Sequence, residues 1–267
     1  DISETTDGYS MINPVALIEF NAKEGPFANP AVRRAISLAI DRQFMIDNIF
    51  FGYGKPATSA LSTNFKPTGL YASMPNYPAR GDIASAKALL DSAGIKPDAN
   101  GVRIRAILDL IPYGEDWRRA GEYLKQVLGD IGIKLELRYE DVPTWLKRIY
   151  HNYDFVMNVN YFYQLPDPVL GVHRHYGTDQ IRKGTHFVNS SRYSNSELDE
   201  LLASGATEAN AQKRTQIYKK IQEILARDMP VVNLFELQFL TVYNTKLKGA
   251  YNSALGAYAS FSEAYLD

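Results

Sequence analysis

Apolar residues recur along this chain in two rhythms, one typical of strands and one typical of helices, and the two alternate. The pattern predicts a strand over 102–110, a helix over 116–129, a strand over 133–139, a helix over 142–151 and a strand over 153–161. Helices of this length between strands form crossover connections, which join parallel neighbours. The sequence therefore predicts an α/β fold with a mainly parallel sheet.

Two further segments, 12–22 and 231–243, are apolar on both faces. A strand with this pattern lies inside a sheet, with neighbours on both sides. One segment precedes the alternating unit and the other follows it, so we expect both to belong to a second lobe that this chain cannot complete. The predicted division is 1–24 as a strand segment with the first crossover, 25–228 as the ligand-binding lobe, and 229–267 as the return segment.

Capping residues predict four additional helices outside the alternating unit. These helices begin at or near Asn29, Asp82, Ser194 and Ala211. The stretch 52–80 is dense in Gly, Pro, Ser and Asn, and it predicts a long loop that covers part of the fold.

Charge and cysteine content narrow the function classes. The 267 residues include 29 Lys and Arg against 30 Asp and Glu, a formal charge of −1, so no overall basic field attracts nucleic acid. The chain has no cysteine, which excludes disulfides, thiol nucleophiles and Cys-ligated zinc. No apolar run is long enough to span a bilayer.

Motifs for catalysis are missing from the sequence. There is no G-x-S-x-G, S-x-x-K or phosphate-binding loop, and paired carboxylates such as Glu140 and Asp141 stand where helix caps are expected. His173 and His175 form an H-x-H, but on a helix their rings point apart, so we predict no metal site. The sequence predicts neither catalytic residues nor a cofactor, and an α/β hydrolase or glycosidase is kept as an alternative.

Ligands of such sheets meet the loops at the carboxyl ends of the strands. These loops are 111–115, 140–145 and 162–168. The first two carry Tyr113 and Trp145, which we predict to stack on a ligand.

The third loop gives the strongest signal for a site. Tyr161, Phe162, Gln164 and Asp167 combine aromatic faces with an amide and a carboxylate, groups that sandwich and orient a small polar molecule. Asp167 also fits a helix cap, because a proline follows it. Arg174, further along, could bind an anionic ligand through charge-assisted hydrogen bonds, and the alternative is a solvated or surface-paired arginine.

The run EFNAKEGPFANPAVRRAISLAIDRQFMIDNIFFGYGKPA resembles extracytoplasmic solute-binding proteins of the peptide, opine and nickel type, which serve ABC importers. The likeness continues through Tyr153-Asp-Phe155, Pro166-Asp-Pro168 and Tyr193-Ser-Asn195. It implies a lobe like those of type II periplasmic-binding proteins, a small-molecule solute enclosed between two lobes, no catalysis, and delivery to a membrane permease. It also implies a location in the periplasm, or on a lipid anchor outside the cytoplasmic membrane.

The resemblance further implies that this chain is the C-terminal part of a receptor. The N-terminal lobe is then a missing half, possibly a separate chain, and hinges are expected near 22–27 and 226–232. A sensory or interaction module on the same fold is a further alternative.

One position departs from the peptide-binding members that the chain resembles. They place an aspartate where Gln164 stands, to hold the amino terminus of a peptide, and a tryptophan where Tyr161 stands. A neutral amide forgoes on the order of 1.5–3 kcal/mol of charged hydrogen bonding to that amino group. We therefore expect a hydroxylated ligand, such as a sugar, a sugar–amino-acid conjugate or an opine, in preference to a simple peptide.

Overall fold

The computed structural model describes residues 1–267. The strands are β1 (Ile2–Thr5), β2 (Pro14–Phe20), β3 (Gly54–Pro56), β4 (Ile104–Leu110), β5 (Ile133–Arg138), β6 (Met157–Tyr163), β7 (Val231–Leu237), β8 (Thr241–Asn244), β9 (Leu247–Lys248) and β10 (Tyr265–Leu266). The helices are α1 (Pro30–Ala39), α2 (Arg42–Asn48), α3 (Ile83–Ser92), α4 (Glu115–Asp130), α5 (Val142–Leu146), α6 (Pro168–Tyr176), α7 (Ser196–Thr207) and α8 (Ala211–Asp228). A π-helical segment, Lys147–Asn152, continues α5.

Six strands form the main sheet in the order β3-β7-β2-β6-β4-β5. The pairs β4–β5 and β4–β6 are parallel, whereas the pairs β2–β6, β2–β7 and β3–β7 are antiparallel. The α/β prediction is confirmed, and its mainly parallel sheet is corrected to a mixed one. Helical crossovers fix the relative direction only of the strands they connect, and β2, β3 and β7 lie outside the predicted alternating unit.

The strands β2 and β7 correct the predicted domain boundaries. Each residue of β2 is paired with β6, from Pro14 opposite Tyr163 to Phe20 opposite Met157, and β7 occupies the other side of β2. The prediction of interior strands is therefore confirmed for β2 and for 231–237, whereas the rest of the second predicted segment leaves this sheet and β8 pairs with β1. The assignment of β2 and β7 to a second lobe is wrong, because they form the middle of the same sheet.

The chain enters and leaves this sheet on one side, which runs across the ends of the strands. We call this side, which is not an edge strand, the entry edge. Pro14, Tyr163 and Leu237 mark it, because the start of β2 lies beside the ends of β6 and β7. Residues 1–13 and 238–267 extend beyond this edge, where β1 pairs with β8 in a separate small sheet. The carboxyl ends of β4 and β5 lie at the same edge, since both strands run parallel to β6.

The two segments that the sequence predicts as hinges lie away from the entry edge. Residues 22–27 follow β2 and residues 226–232 lead into β7, and Glu19 is paired with Val231 near these points. Both segments are thus at the edge opposite the entry edge. The hinges at these positions stay a prediction, and they are separated from the segments 1–13 and 238–267 by the length of the sheet.

The sheet is buried on both faces. Ile18 and Phe20 point into the larger apolar core with α1 and α4, and Leu17 points into a second core with α7 and α8. Alternation along β2 therefore produces a three-layer arrangement, with helices on both sides of the sheet.

The predicted covering loop 52–80 contains β3 and a 3₁₀ segment, Thr63–Thr68, and it is fixed by buried polar side chains. Gln222 accepts a hydrogen bond from the amide of Ala72 at 2.9 Å and donates to the carbonyl of Leu70 at 2.8 Å. Arg42 is fully buried and donates to the carbonyl of Pro78 at 2.9 Å. No helix in the fold has the length and apolar character that crossing a membrane requires.

Candidate functional site

A cavity of about 340 Å³ opens at the entry edge. Its walls are mostly aromatic, with one cation; the lining residues are Tyr113, Tyr161, Phe162, Tyr163, Arg174 and Phe187. Four of the seven residues predicted from the sequence thus lie on one cavity. Tyr163 and Phe187 were not among the predicted contacts.

Tyr161 is the centre of the aromatic wall. Its ring centroid lies 5.7 Å from that of Trp117 in a stacked arrangement, 6.0 Å from Tyr113 and 5.6 Å from Tyr163, the last two edge-on. Phe239, which follows β7, packs edge-on at 5.8 Å. Because these rings come from β4, α4, β6 and β7 regions, the wall is held by several elements and is preorganised for a flat or apolar solute.

The C-terminal segment beyond the entry edge reaches the rim of the cavity. The hydroxyls of Tyr163 and Tyr258 are 3.3 Å apart, within hydrogen-bond distance. Tyr258 also packs edge-on against Tyr9, with ring centroids 5.4 Å apart. Segments from both ends of the chain therefore meet beside the cavity.

Arg174 is the only charged residue that lines the cavity. Its Nη2 donates one long hydrogen bond, 3.3 Å, to the carbonyl of Tyr163, and its buried Nε has no partner. Burial lowers the pKa of Arg174, with an opposing effect of Tyr150. A guanidinium has five donors, so most of the hydrogen-bonding capacity of this side chain is unused.

Gln164 does not line the cavity. Its side chain is 2 % exposed; Oε1 accepts from the amide of Ser62 at 2.7 Å and Nε2 donates to the carbonyl of Ala60 at 2.7 Å. Both ends of the amide are thus bonded to the covering loop. We therefore leave Gln164 out of the proposed contact set, and its ligand contact stays a prediction that this arrangement does not support.

Trp145 supports the cavity from behind. It is 1 % exposed, its Nε1 donates to Oδ1 of Asn158 at 2.9 Å, and its ring packs against Tyr150 and Phe187. The indole has no open face on which a ligand could stack. Trp145 and Tyr113 were predicted on the same basis, as aromatic residues in loops at the carboxyl ends of strands. Tyr113, in contrast to Trp145, is 44 % exposed.

Asp167 caps a helix and forms an ion pair. The sequence predicted the cap as the alternative to ligand contact, and it did not predict the ion pair. Asp167 caps α6 by accepting from the amide of Val169 at 2.9 Å, which confirms the predicted cap. Arg214 of α8 donates from Nη2 to both carboxylate oxygens, at 2.8 and 2.9 Å. Asp167 therefore joins two helices outside the cavity lining.

A buried polar cluster on β2 and β6 was missed by the sequence interpretation. Glu19, 2 % exposed, accepts hydrogen bonds from Asn158 at 2.7 Å, from Asn160 at 3.3 Å and from Ser190. Burial raises the pKa of Glu19 to about 7. The signal in the sequence was a glutamate inside an otherwise apolar two-faced strand, because such a residue requires buried partners.

The lining of the cavity offers three kinds of chemical group. Its lining contains no carboxylate, imidazole or aliphatic hydroxyl, so it offers aromatic faces, phenol groups and a guanidinium. These groups stack on a solute, donate hydrogen bonds to it and orient it.

Curated proteins that match this chain include a glutathione-binding protein and an oligopeptide-binding protein. The chain is 26 % identical over 236 residues to the glutathione-binding protein GsiB of Salmonella paratyphi A, covering 87 % of this chain and 44 % of that protein. It is 24 % identical over 268 residues to the oligopeptide-binding protein OppA of Bacillus subtilis, covering 97 % and 47 %. The chain thus spans less than half the length of these curated relatives.

Solved structures share the fold. The substrate-binding protein CtaP of Listeria monocytogenes superposes with a TM-score of 0.80 at 25 % identity, over 100 % of this chain and 52 % of that one. The oligopeptide-binding protein AppA of Bacillus subtilis, solved with a nonapeptide, gives 0.79 at 19 % identity, over 100 % and 52 %. The profile of the bacterial extracellular solute-binding proteins, family 5, matches residues 6–182. The chain therefore belongs to family 5 of the bacterial extracellular solute-binding proteins.

Proposed function

We propose that this chain forms the ligand-binding lobe of a receptor that captures a small polar solute outside the cytoplasmic membrane and presents it to an ABC importer. The solute occupies the cavity at the entry edge. It contacts Tyr113, Tyr161, Phe162 and Arg174, as the sequence predicts, together with Tyr163 and Phe187. The observation that carries the proposal is that these six residues line one cavity in a chain of this family, with Phe162 the most buried of them at 3 % exposure.

The position of the cavity supports enclosure by a second lobe. Both chain segments that leave the sheet, 1–13 and 238–267, do so at the edge where the cavity opens. We propose that these segments lead to the second lobe and that it closes over the aromatic wall by a hinge motion. This location replaces the hinges expected from the sequence. That the chain spans about half of each structural relative is consistent with such a division.

Capture without turnover is the proposed mechanism. Curated relatives are named for binding glutathione, dipeptides and oligopeptides, and the cavity lining has no acid–base pair. The hydrolase and sensory alternatives have no specific observation in their favour. A permease as partner, and a periplasmic or lipid-anchored location, are part of the proposal, which family membership supports.

The test is solute capture by the complete natural protein. Native mass spectrometry of the purified protein should show a co-purified small molecule that is released unchanged on denaturation. Tyr161→Ala should weaken its rebinding by about 30-fold or more, because the substitution removes the centre of the aromatic wall.

The matched control is Phe44→Ala. Phe44 is an aromatic residue that is more exposed than Tyr161, at 41 %, and packs on Tyr123 away from the cavity. Its replacement should leave affinity unchanged. Equal losses in both variants, or chemical conversion of the bound molecule, would count against the proposed function.

A further inference from the structure

We propose that the solute carries a carboxylate, that Arg174 binds it, and that the cavity selects for this anion and against a free ammonium group. This inference rests on the proposed function and deepens it by specifying the charge of the solute. It starts from an arginine whose hydrogen-bonding capacity is almost unused within the protein.

Two other buried or half-buried arginines have defined partners, whereas Arg34, which does not line the cavity, shares with Arg174 a buried Nε without a partner. Arg138 donates to both oxygens of Asp109, at 2.6 and 2.9 Å, and Arg42 donates to three backbone carbonyls and a serine hydroxyl. Arg174 has no carboxylate within ion-pair distance and makes one hydrogen bond at the long limit. Its Nη1 makes no hydrogen bond and is not fully buried.

The surroundings of Arg174 hold no competing negative charge. Tyr161 and Tyr163 of β6 line the same cavity, and the contact of Arg174 with β6 is the backbone carbonyl of Tyr163. From the π-helical segment it interacts with Tyr150, whose pKa burial raises well above the usual value. On its own helix, His175 is buried and its pKa is lowered by burial, so it stays neutral. The cavity therefore has one fixed positive charge and nothing on its lining to neutralise it.

These surroundings define the chemical class of the solute. A guanidinium in a partly dehydrated, aromatic setting has lost water contacts, and a carboxylate restores them through short charge-assisted hydrogen bonds. An ammonium group placed there meets a like charge without a counter-ion. The aromatic rings accept a flat or apolar body next to the carboxylate. The structure thus assigns the cavity to solutes with an acid group attached to a ring or apolar body.

The experiment uses the complete natural protein, freed of bound solute by denaturation and refolding. Affinities are measured by calorimetry for matched acid and amide probes: N-acetyltyrosine with N-acetyltyrosinamide, and glucuronate with glucuronamide. The captured solute is identified in parallel by mass spectrometry. We expect the acid of a bound pair to bind about 10- to 100-fold more tightly than its amide.

Two substitutions assign the preference to Arg174. Arg174→Gln should reduce acid binding to the level of the amide, and circular dichroism with an unchanged urea midpoint shows that the variant is folded. Arg174→Lys, which keeps the charge but loses the planar fork, should retain part of the preference.

The proposal is overturned if acid and amide bind equally, if Arg174→Gln weakens both to the same extent, or if the captured solute has no anionic group. Absence of any captured solute together with absence of binding by all four probes is a different result. It contradicts the proposed function itself, and the charge assignment fails with it.

Discussion

The side-chain oxygen of Gln164 accepts a hydrogen bond from the backbone amide of Ser62 across 102 positions of sequence, at 2.7 Å. Its amide nitrogen donates to Ala60 at the same distance. The residue at the end of β6 therefore holds the covering loop against the sheet. Contact with the solute is left to its neighbours Tyr161, Phe162 and Tyr163.

Gln164→Leu is expected to destabilise the protein. The change leaves the buried Ser62 amide without a partner and removes one of the two hydrogen bonds to the Ala60 carbonyl, which Asn233 retains. We expect a loss of about 1–3 kcal/mol in the free energy of unfolding. Urea unfolding measures this loss. Solute affinity of the folded variant should change by less than about threefold, and a selective loss of affinity at unchanged stability would instead restore Gln164 to the binding site.

Asp167 is expected to contribute to stability through α6 and α8. Asp167→Ala removes a helix cap and both hydrogen bonds from Arg214, and we expect a loss of about 1–2 kcal/mol in the free energy of unfolding. Arg214→Ala should cost less and be non-additive with it, because the pair shares one interaction. Additive losses in the double variant would show that the ion pair contributes nothing.

Arg42 is expected to be one of the most sensitive positions outside the cavity. Arg42→Met removes the donors that satisfy the carbonyls of Ser37, Pro78 and Asn233, and should cost about 3–5 kcal/mol. Arg80→Ala is the control, since Arg80 has a side-chain exposure of 68 % in its ion pair and should change stability by less than about 0.5 kcal/mol. Chemical denaturation compares the two, and similar values would contradict the role of Arg42.

Glu19 predicts a pH dependence of stability. Its pKa is raised by burial to about 7 from an unfolded value near 4.5, so the folded state binds the proton more tightly. The corresponding stabilisation is complete below about pH 4.5 and is lost as the pH rises to about 7, an effect of about 3 kcal/mol. Unfolding by urea at pH 5 and pH 8 should show this decrease, and Glu19→Gln should remove it.

Glu24 is the control for the Glu19 measurement, because its pKa is shifted in the opposite direction. It is exposed and hydrogen-bonded by Arg192 and Asn21, which lower its pKa. Glu24→Gln should therefore leave the decrease between pH 5 and pH 8 unchanged. A decrease that persists in Glu19→Gln would assign the pH dependence to other groups.

Local sequence patterns predicted the helices and strands because they depend on near neighbours. The cap at Asn29 and the interior character of β2 followed from residues within one turn or one strand. The partners of β2 did not follow, since apolar faces indicate burial without naming the neighbouring strand. Its assignment to a second lobe was wrong for this reason.

The same limit explains the mixed outcome at the site. Tyr113 and Trp145 occupy equivalent loops, but Trp145 is enclosed by Asn158 and Tyr150, which only the folded chain brings around it. For Gln164, the sequence did contain an indication that its side chain is buried. A period of two along β6 places it on the face of Asn158 and Asn160, both fully buried, and away from Tyr161.

The central claim is that the solute binds in the aromatic cavity at the entry edge. A crystal structure of the complete natural protein with its co-purified solute tests this claim most directly. We predict solute atoms within about 4 Å of the Tyr161 ring and an acid group in hydrogen-bond contact with Arg174, under a second lobe that continues from the segments 1–13 and 238–267. A solute bound elsewhere, with this cavity open to water, would contradict the account.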